Sequence, residues 1–527
     1  MGRHHRGRRP AWTGSLLVLV SSAGSDVLLG QPSRPAGQGP IFVGSAKQLF
    51  IDHRFIDSSG HVTLCVNPPV KRPEPILRSD KSWDAFRLIW FTVADDGDEV
   101  KMWYQAFDGD QWGGGRSRLC YAVSKDGLRF SKPDLGLVEY RGSRQNNILI
   151  EDIINATVFI DPHGKPEQRY KIVYTIHQDS RWSDVRVGTS SDGIHWRLPS
   201  KGLASIHADT QHAAFWDERI GKYVVYFRVH VGGDGKPHHP FVAPIESNPP
   251  VVAPKLMRPG RALGRLEMDD ILAPWPTDKI RTIMTADEID PDDSDIYTHS
   301  PYKYPYAADA YFLFPMTYQH FRPGETDVGN DGVNDGQFAA SRDGIHWMRY
   351  DRKPYLERGL PGEPDFGAAQ PSGWHVRRGN SLYHYYMGWP WTHGGFRRLS
   401  KEQRHSRENW GREHYGVAVQ RLDGFVSVDA PYTGGWLVTP PLIFRGKELR
   451  LNINVAAMGV ARVGMEDIQG SPLEGYKLDE CDRMMFNDVA QLVTWRGKSD
   501  VSPLAGKPVR LRLEMRSAKL YAFQFVE

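Results

Sequence analysis

The sequence predicts an all-β protein, a five-bladed β-propeller followed by a C-terminal β-sandwich, on three observations. A turn motif recurs: residues 190–196 read SSDGIHW, 341–347 read SRDGIHW and 124–130 read SKDGLRF. Each copy follows a short apolar run and precedes a polar loop, as a strand ending in a tight turn would. No long segment carries the 3.6-residue apolar period of an amphipathic helix.

The turn has a physical logic. Asp can hydrogen-bond its own backbone, Gly takes positive φ at no steric cost, and the trailing aromatic starts the next strand. Around it the chain repeats one unit: strand, turn, strand ending in aromatics, loop, and strand leading into the Asp-Gly turn. The first unit is RLIWFTVA, VKMWYQA and LCYAVSKDGLRF. The second is NATVFI, RYKIVYTI and VRVGTSSDGIHW. The third has QHAAFW and KYVVYFRV, and RALGRLEMDDILAPW ends it with a degenerate turn. The fourth is read from AYFLFPM to QFAASRDGIHW, and the fifth runs from SGWHVR through SLYHYYMGW to YGVAVQRLDGFVS. The gap between the second and fourth copies is more than twice that between the first and second, room for the degenerate unit. Five four-stranded units read as a five-bladed propeller over residues 77–430. From 431 to 527 the turn is absent and short alternating strands read as a β-sandwich.

The N-terminus has a basic segment, MGRHHRGRR, an apolar run, WTGSLLVLV, and then small residues. Residues 1–30 therefore read as a secretory signal peptide, with a secreted or periplasmic protein expected. The apolar run is too short to span a bilayer, and no later run approaches that length. Residues 31–76 read as a linker and leading strands that lead into or close the first large domain. The net charge of +3 is concentrated in the leader, which gives no pointer to nucleic acid. Three well-separated cysteines make neither a disulfide framework nor a metal knuckle. The 16 Trp and 22 Tyr suit a β core, and they also suit stacking against sugar rings.

The repeated S-x-D-G-x-x-W turn, the aromatic strand ends MWYQ and YFR, and the tail KPVRLRLEMRSAKLYAFQF resemble the five-bladed propeller glycosidases, the invertase–fructanase and arabinanase groups. The resemblance covers nearly all of the chain after the leader. It implies an exported glycoside hydrolase acting on an oligo- or polysaccharide with no cofactor. Carboxylates at the starts of innermost strands would converge on a sugar, one protonating the leaving oxygen and another attacking or activating water. The signatures of the invertase group are missing. There is no WMNDPNG, and SWDAF leaves Asp84; there is no RDP, and the second inner strand starts at Asn155; there is no Glu-Cys pair, and ADTQHAAFW leaves Asp209. Asp309 precedes the fourth unit, and Glu363 and Asp365 precede the fifth.

The expected catalytic carboxylates are thus Asp84, Asp209, Asp309 and Glu363. The expected sugar contacts are Trp83, Asn155, His212, Arg228, Asp365 and His393, with Trp112 and Trp391 as further stacking platforms. Two other functions compete: a non-catalytic carbohydrate-binding propeller, and a lyase using a Tyr or His base. The acidic stretch 287–295 (DEIDPDDSD) lacks EF-hand spacing and reads as a solvated loop, with no metal expected.

Overall fold

The computed structural model describes residues 39–109, 116–177, 183–206, 208–231, 260–404, 406 and 412–527. The leader, the start of the linker and Trp112 lie outside the described residues. The fold is all-β: among the described residues strands dominate, with one four-residue α-helix, and no helix is long and apolar enough to cross a membrane.

Four-stranded antiparallel sheets follow one another along the chain. Sheet one holds Arg87–Asp96, Glu99–Phe107, Ser117–Ser124 and Ile148–Glu151. Sheet two holds Ile154–Ile160, Tyr170–His177, Ser183–Ser190 and Ala204–Ile206. Sheet three holds Ala213–Asp217, Lys222–Val231, Gly260–Met268 and Arg281–Met284.

The fourth unit is built from two short sheets in tandem. One contains Ser294–Thr298, Met316–His320 and Gly332–Gly336, the other Pro301–Lys303, Tyr311–Leu313, Ala339–Ser341 and Met348–Arg349. Phe314 N donates to Ser300 O at 3.2 Å and Gln337 N to Pro315 O at 2.9 Å, stitching the two halves together. The segment AYFLFPM, expected as the first strand here, is therefore the second, and the first lies in the sequence read as an acidic loop.

The fifth sheet holds Ala368–Arg378, Ser381–Trp389 and His414–Arg421. Its outer strand comes from far upstream: Val70–Lys71 and Leu77–Arg78 both pair with His414–Arg421. Successive sheets pack face to face. Ile154–Ile160 lies on Arg87–Asp96 and on Ala213–Asp217; Gly260–Met268 lies on Ser294–Thr298; Ala368–Arg378 lies on Gly332–Gly336 and returns to Arg87–Asp96. The apolar core follows the same order, as layers between sheets five and one, one and two, two and three, and three and four.

The Asp-Gly turns hold neighbouring sheets together. In each, the Asp Oδ1 accepts two backbone amides: Leu128 and Arg129 on Asp126, Ile194 and His195 on Asp192, Ile345 and His346 on Asp343, all at 2.8–2.9 Å. Each Gly carbonyl then accepts from the neighbouring sheet: Gly127 from Tyr385 Oη at 2.9 Å, Gly193 from Trp103 Nε1 at 2.6 Å, Gly344 from Tyr226 Oη at 2.8 Å. Gly193 has φ +80°, and a Cβ there would sit 2.7 Å from Trp103, so both the turn and the clasp require glycine. In the degenerate third copy Asp270 Oδ1 still accepts Leu272 N, at 2.9 Å. The fifth copy differs. Asp423 takes φ +63°, and its carboxylate accepts from Lys47, Tyr304 and Asn452.

A second clasp recurs that the sequence did not announce. The Tyr opening the second strand of one sheet donates to the Asp at the first hairpin of the sheet before: Tyr170 to Asp96, Tyr223 to Asp161, Tyr311 to Asp217.

The last hundred residues build an eight-stranded sheet around one long strand, Arg510–Val526. Glu448–Glu466 pairs along its full length, and Gly435–Val438 and Val426–Ala430 pair with its two halves. The leading strands belong here as well. Gln48–Leu49 pairs with Arg510–Val526, Ser58–Gly60 with Gly435–Val438, Thr63–Val66 with Val426–Ala430, and Ile41–Gly44 runs parallel to Leu442–Phe444. Residues 41–66, expected to lead into or close the first large domain, thus pair with the C-terminal strands, because four edges there would otherwise be left without partners.

Candidate active site

Polar side chains gather around Tyr297. The pairing of Ser294–Thr298 with Met316–His320 shifts register between Ile296 and Thr298, so Tyr297 is the extra residue of a bulge. Bulges re-aim side chains next to sites. Here the ring carries two guanidiniums, Arg228 at 4.5 Å and Arg261 at 5.2 Å from its centroid.

Arg228, on Lys222–Val231, is buried, and each of its three guanidinium nitrogens donates a hydrogen bond. Its Nε donates to the Tyr297 carbonyl at 2.9 Å, its Nη2 donates to the same oxygen, and its Nη1 donates to Asp209 at 2.6 Å. Arg261 donates through Nη1 to Asp295 Oδ2 at 3.0 Å, and His320 Nε2 faces the same oxygen at 3.0 Å. Asp295 Oδ1 has no hydrogen-bond partner among the described residues, although Asp295 is only 3% exposed.

The two aspartates share the same arginines and sit in opposite environments. Burial raises the pKa of Asp295, and Arg261 and Arg228 pull against it without prevailing. Burial also acts upward on Asp209, but Arg228, His230 and Arg261 outweigh it and hold the carboxyl below its ordinary 3.8. Asp209 keeps 48% of its side chain open, so its proximity to cations rather than a dry setting decides its state. The proton affinities of the two carboxyls are pushed apart, the arrangement that separates acid from base roles.

His393 completes the group. Its Nδ1 lies 2.8 Å from the Asn330 carbonyl and its Nε2 3.0 Å from the Tyr297 hydroxyl. Burial lowers its pKa to about 4, so the ring is neutral at neutral pH. A carbonyl can only accept; Nδ1 therefore carries the hydrogen and Nε2 accepts from Tyr297. Beside Asp295 opens a cavity of about 350 Å³, whose wall includes Gly260, Phe321, Val328 and Asp331.

Of the residues expected at the site, the structure brings together Asp209, Arg228 and His393. The others are not hydrogen-bonded to this group among the described residues, although Asn155 donates to the carbonyl of Ala208, next to Asp209. Asp84 is fully buried in a turn, where it accepts from the amides of Asp80 and Lys81, from Lys132 Nζ at 2.5 Å and from Tyr104 at 3.3 Å. It caps that turn and neutralises a buried lysine, which leaves no oxygen for a substrate. Trp83 donates to Asn147 at 2.8 Å and packs edge-on against Tyr140. Asn155 sits at φ +59° in a bulge and donates to Thr175 and to the Ala208 carbonyl. Its Oδ1 has no partner among the described residues, and the same holds for both ring nitrogens of buried His212.

Asp309 precedes a second strand, so it lies among Arg54 and Arg342, fastening the leading segment to the turn at 341–347. Glu363 is exposed and accepts the Leu360 amide at 2.7 Å, closing its own turn. Asp365 is buried against Lys71 at 2.7 Å, where the upstream strand joins sheet five. Trp391 packs edge-on with Phe396, and Arg412 lies over its ring.

Sequence reasoning missed Asp295, Tyr297, Arg261 and His320. It also missed Glu413, buried 3.7 Å from Arg87 with its pKa raised by burial. A usable signal for the fourth strand existed. RYKIVY and KYVVYF are second strands opened by the clasp tyrosine, and AYFLF opens the same way, which pushes the first strand upstream to residues 294–298. Among the described residues no cluster of three or more His, Cys, Asp or Glu side chains is placed to hold a metal ion.

No family model matches the chain, and no curated protein matches it. Solved structures similar to it include a glycoside hydrolase, 14% identical, covering 66% of this chain and 92% of that one with a TM-score of 0.43. A glycosyl hydrolase from Bacteroides ovatus is 13% identical, covering 67% of this chain and 94% of its own, with a TM-score of 0.38. The catalytic domain of a GH62 α-L-arabinofuranosidase from Coprinopsis cinerea is 10% identical, covering 67% and 97%, with a TM-score of 0.39.

Proposed function

We propose that this protein is an exported glycoside hydrolase whose acid and base are Asp295 and Asp209. The five sheets are read as blades of one propeller, with the last hundred residues and the leading strands as a β-sandwich beside it. The face-to-face succession of sheets, with the fifth returning to the first, supports that reading. Export rests on the basic and apolar leader.

The observation that carries the reaction is the pair of aspartates astride Arg228, Arg261 and Tyr297, one pushed toward the acid form and the other held ionised. Glycosidic cleavage needs that division of labour. Asp295 Oδ2 is taken by Arg261 and His320, so the proton of the acid form resides on Oδ1, which is buried and has no partner among the described residues. Asp209 attacks the anomeric carbon or activates water. Tyr297 lies between them, its hydroxyl fixed by His393.

A lyase would need a guanidinium free to bind a uronate carboxylate. Arg228 and Arg261 are both engaged by aspartates, which favours hydrolysis. The test is incubation of the protein with a panel of oligosaccharides, comparing wild type with Asp209→Asn and Asp295→Asn. The expected loss in kcat is about 10²- to 10⁴-fold in each, the usual worth of a positioned acid or base. Cleavage at the wild-type rate by both variants would remove the assignment. A wild type that binds sugars and cleaves none would make it a binding protein.

A further inference from the structure

We infer that Gln211 is a substrate-binding residue whose amide oxygen accepts a ring hydroxyl of the bound sugar, an inference resting on Asp209 as the carboxylate that meets that sugar. Burial alternates along residues 208–212. Ala208, Thr210 and His212 are buried, whereas Asp209 keeps 48% of its side chain open and Gln211 is part-exposed. That is the pattern of a segment with one side packed and one side open, and it turns Asp209 and Gln211 toward the open side together. The packed side ties the segment to its neighbours. The Thr210 and Thr298 hydroxyls lie 2.8 Å apart, one residue beyond Tyr297, and the Ala208 carbonyl accepts from Asn155 at 3.4 Å.

What fixes Gln211 also decides what it can bind. Its Nε2 donates to Phe91 O in sheet one at 3.1 Å and to Ala156 O in sheet two at 2.8 Å. Both carbonyls stand where strand pairing slips, between Ile89 and Phe91 and between Ile154 and Thr157. Such bulges leave backbone groups that the ladder does not fill. A carbonyl can only accept, so both amide hydrogens of Gln211 are committed and its oxygen is the free end. Oε1 has no partner among the described residues, and unlike Asp295 Oδ1 it is not one of the atoms buried without a partner, so it opens to solvent. An amide held in this way is an acceptor of fixed direction beside Asp209. It takes the O–H of a sugar hydroxyl and offers nothing to a ring position that lacks one.

The test uses 4-nitrophenyl glycosides of glucose, galactose, mannose, xylose and arabinose, then the monodeoxy analogues of whichever is cleaved. Wild type is compared with Gln211→Met, which removes both ends of the amide, and with Gln211→Lys, which keeps a donor for the two carbonyls and removes only the acceptor. One monodeoxy analogue is expected to lose at least about tenfold in kcat/KM on wild type. The variants should cleave that analogue no worse than its parent, because hydroxyl and acceptor form a single contact in the cycle. A purely structural Gln211 would slow parent and analogues alike. Uniform slowing, or a wild type that discriminates against no analogue, overturns the inference, while loss of cleavage in Asp209→Asn leaves the hydrolase reading standing. Should no glycoside be cleaved, titration calorimetry of the methyl glycosides and their monodeoxy analogues is run on wild type and Gln211→Lys. Discrimination in the first that is absent from the second supports the contact and removes only the hydrolase; equal discrimination, or no binding, overturns it.

Discussion

At the scale of single residues, the proposed chemistry depends on two carboxyls with diverging proton affinities. Asp209, held below 3.8, must be ionised, so activity falls only as pH drops below that value. Asp295, raised above 3.8, must be protonated, so activity falls again as pH rises through its higher value. The kcat/KM profile is therefore expected to be a bell with its acid limb below pH 3.8 and its basic limb above. On a nitrophenyl glycoside, whose leaving group needs little protonation, Asp295→Asn should retain measurable turnover and lose the basic limb. A basic limb surviving in that variant would assign it to another group, with Glu413 next in line. Asp84 belongs to a different account. Asp84→Asn removes the buried partner of Lys132 but leaves it Asp80 at 2.5 Å, so the loss should stay below the about 3–5 kcal/mol of breaking a fully buried pair. It should lower the thermal midpoint while leaving the shape of the pH–rate profile unchanged.

At the scale of elements, the Asp-Gly turn is a clasp as well as a hairpin. Asp343 Oδ1 accepts two amides and the Ser341 hydroxyl, and the turn then offers Gly344 O to Tyr226. Asp343→Ala and Tyr226→Phe should each destabilise by about 2 kcal/mol, because the carboxylate accepts two amides and the Tyr226 hydroxyl also accepts from the buried Arg265 guanidinium. The two losses should be less than additive in a double-mutant cycle by chemical denaturation, because both act on one contact. Full additivity would mean that turn and neighbour are energetically independent. This element was legible in the sequence because its demands are local: an Asp, a Gly at positive φ and a trailing aromatic at fixed spacing. The strand carrying Asp295 and Tyr297 was not legible. It is short, interrupted at His299 and Ser300, and buries polar side chains against Arg228 and Arg261, so no apolar alternation marks it. A bulge that turns Tyr297 into the site erases the period by which strands are recognised. Asp209 and Arg228 were found because they flank an ordinary strand pair, QHAAFW and KYVVYFRV, whose alternation sets the register.

At the scale of the whole molecule, the pairings that matter most join the two ends of the chain, and spacing within a repeat cannot reveal them. The recurring turn could be read from local spacing, whereas the partners of residues 41–66 depend on which edges the C-terminal strands leave open. His212, His375 and His393 are buried with pKa values lowered to about 4, 3 and 4 by desolvation. The unfolded chain takes up protons below pH 6.5 where the folded one does not, so each favours folding fully above 6.5 and less as pH falls toward its folded value. At roughly 1.4 kcal/mol per unit the upper bound is about 3.5 kcal/mol for His212 and His393 and about 5 for His375, and the thermal midpoint should decline from pH 6.5 toward 4. The shared sheet makes the sharper prediction. Residues 431–527 alone lack the strands Ile41–Gly44, Gln48–Leu49 and Ser58–Gly60, leaving the core around Phe444, Leu513 and Phe523 open where Val43, Phe50 and Phe55 pack. Each such side chain contributes roughly 1.5–3 kcal/mol on burial, an appreciable share of the ~5–15 kcal/mol that holds a domain folded. Expressed alone, 431–527 should therefore show no cooperative unfolding transition. Joined to 39–66 and 426–430 through flexible linkers, it should show one. A cooperative transition in 431–527 alone would mean that its core closes without the leading strands, and that their pairing is a later addition to a self-sufficient module.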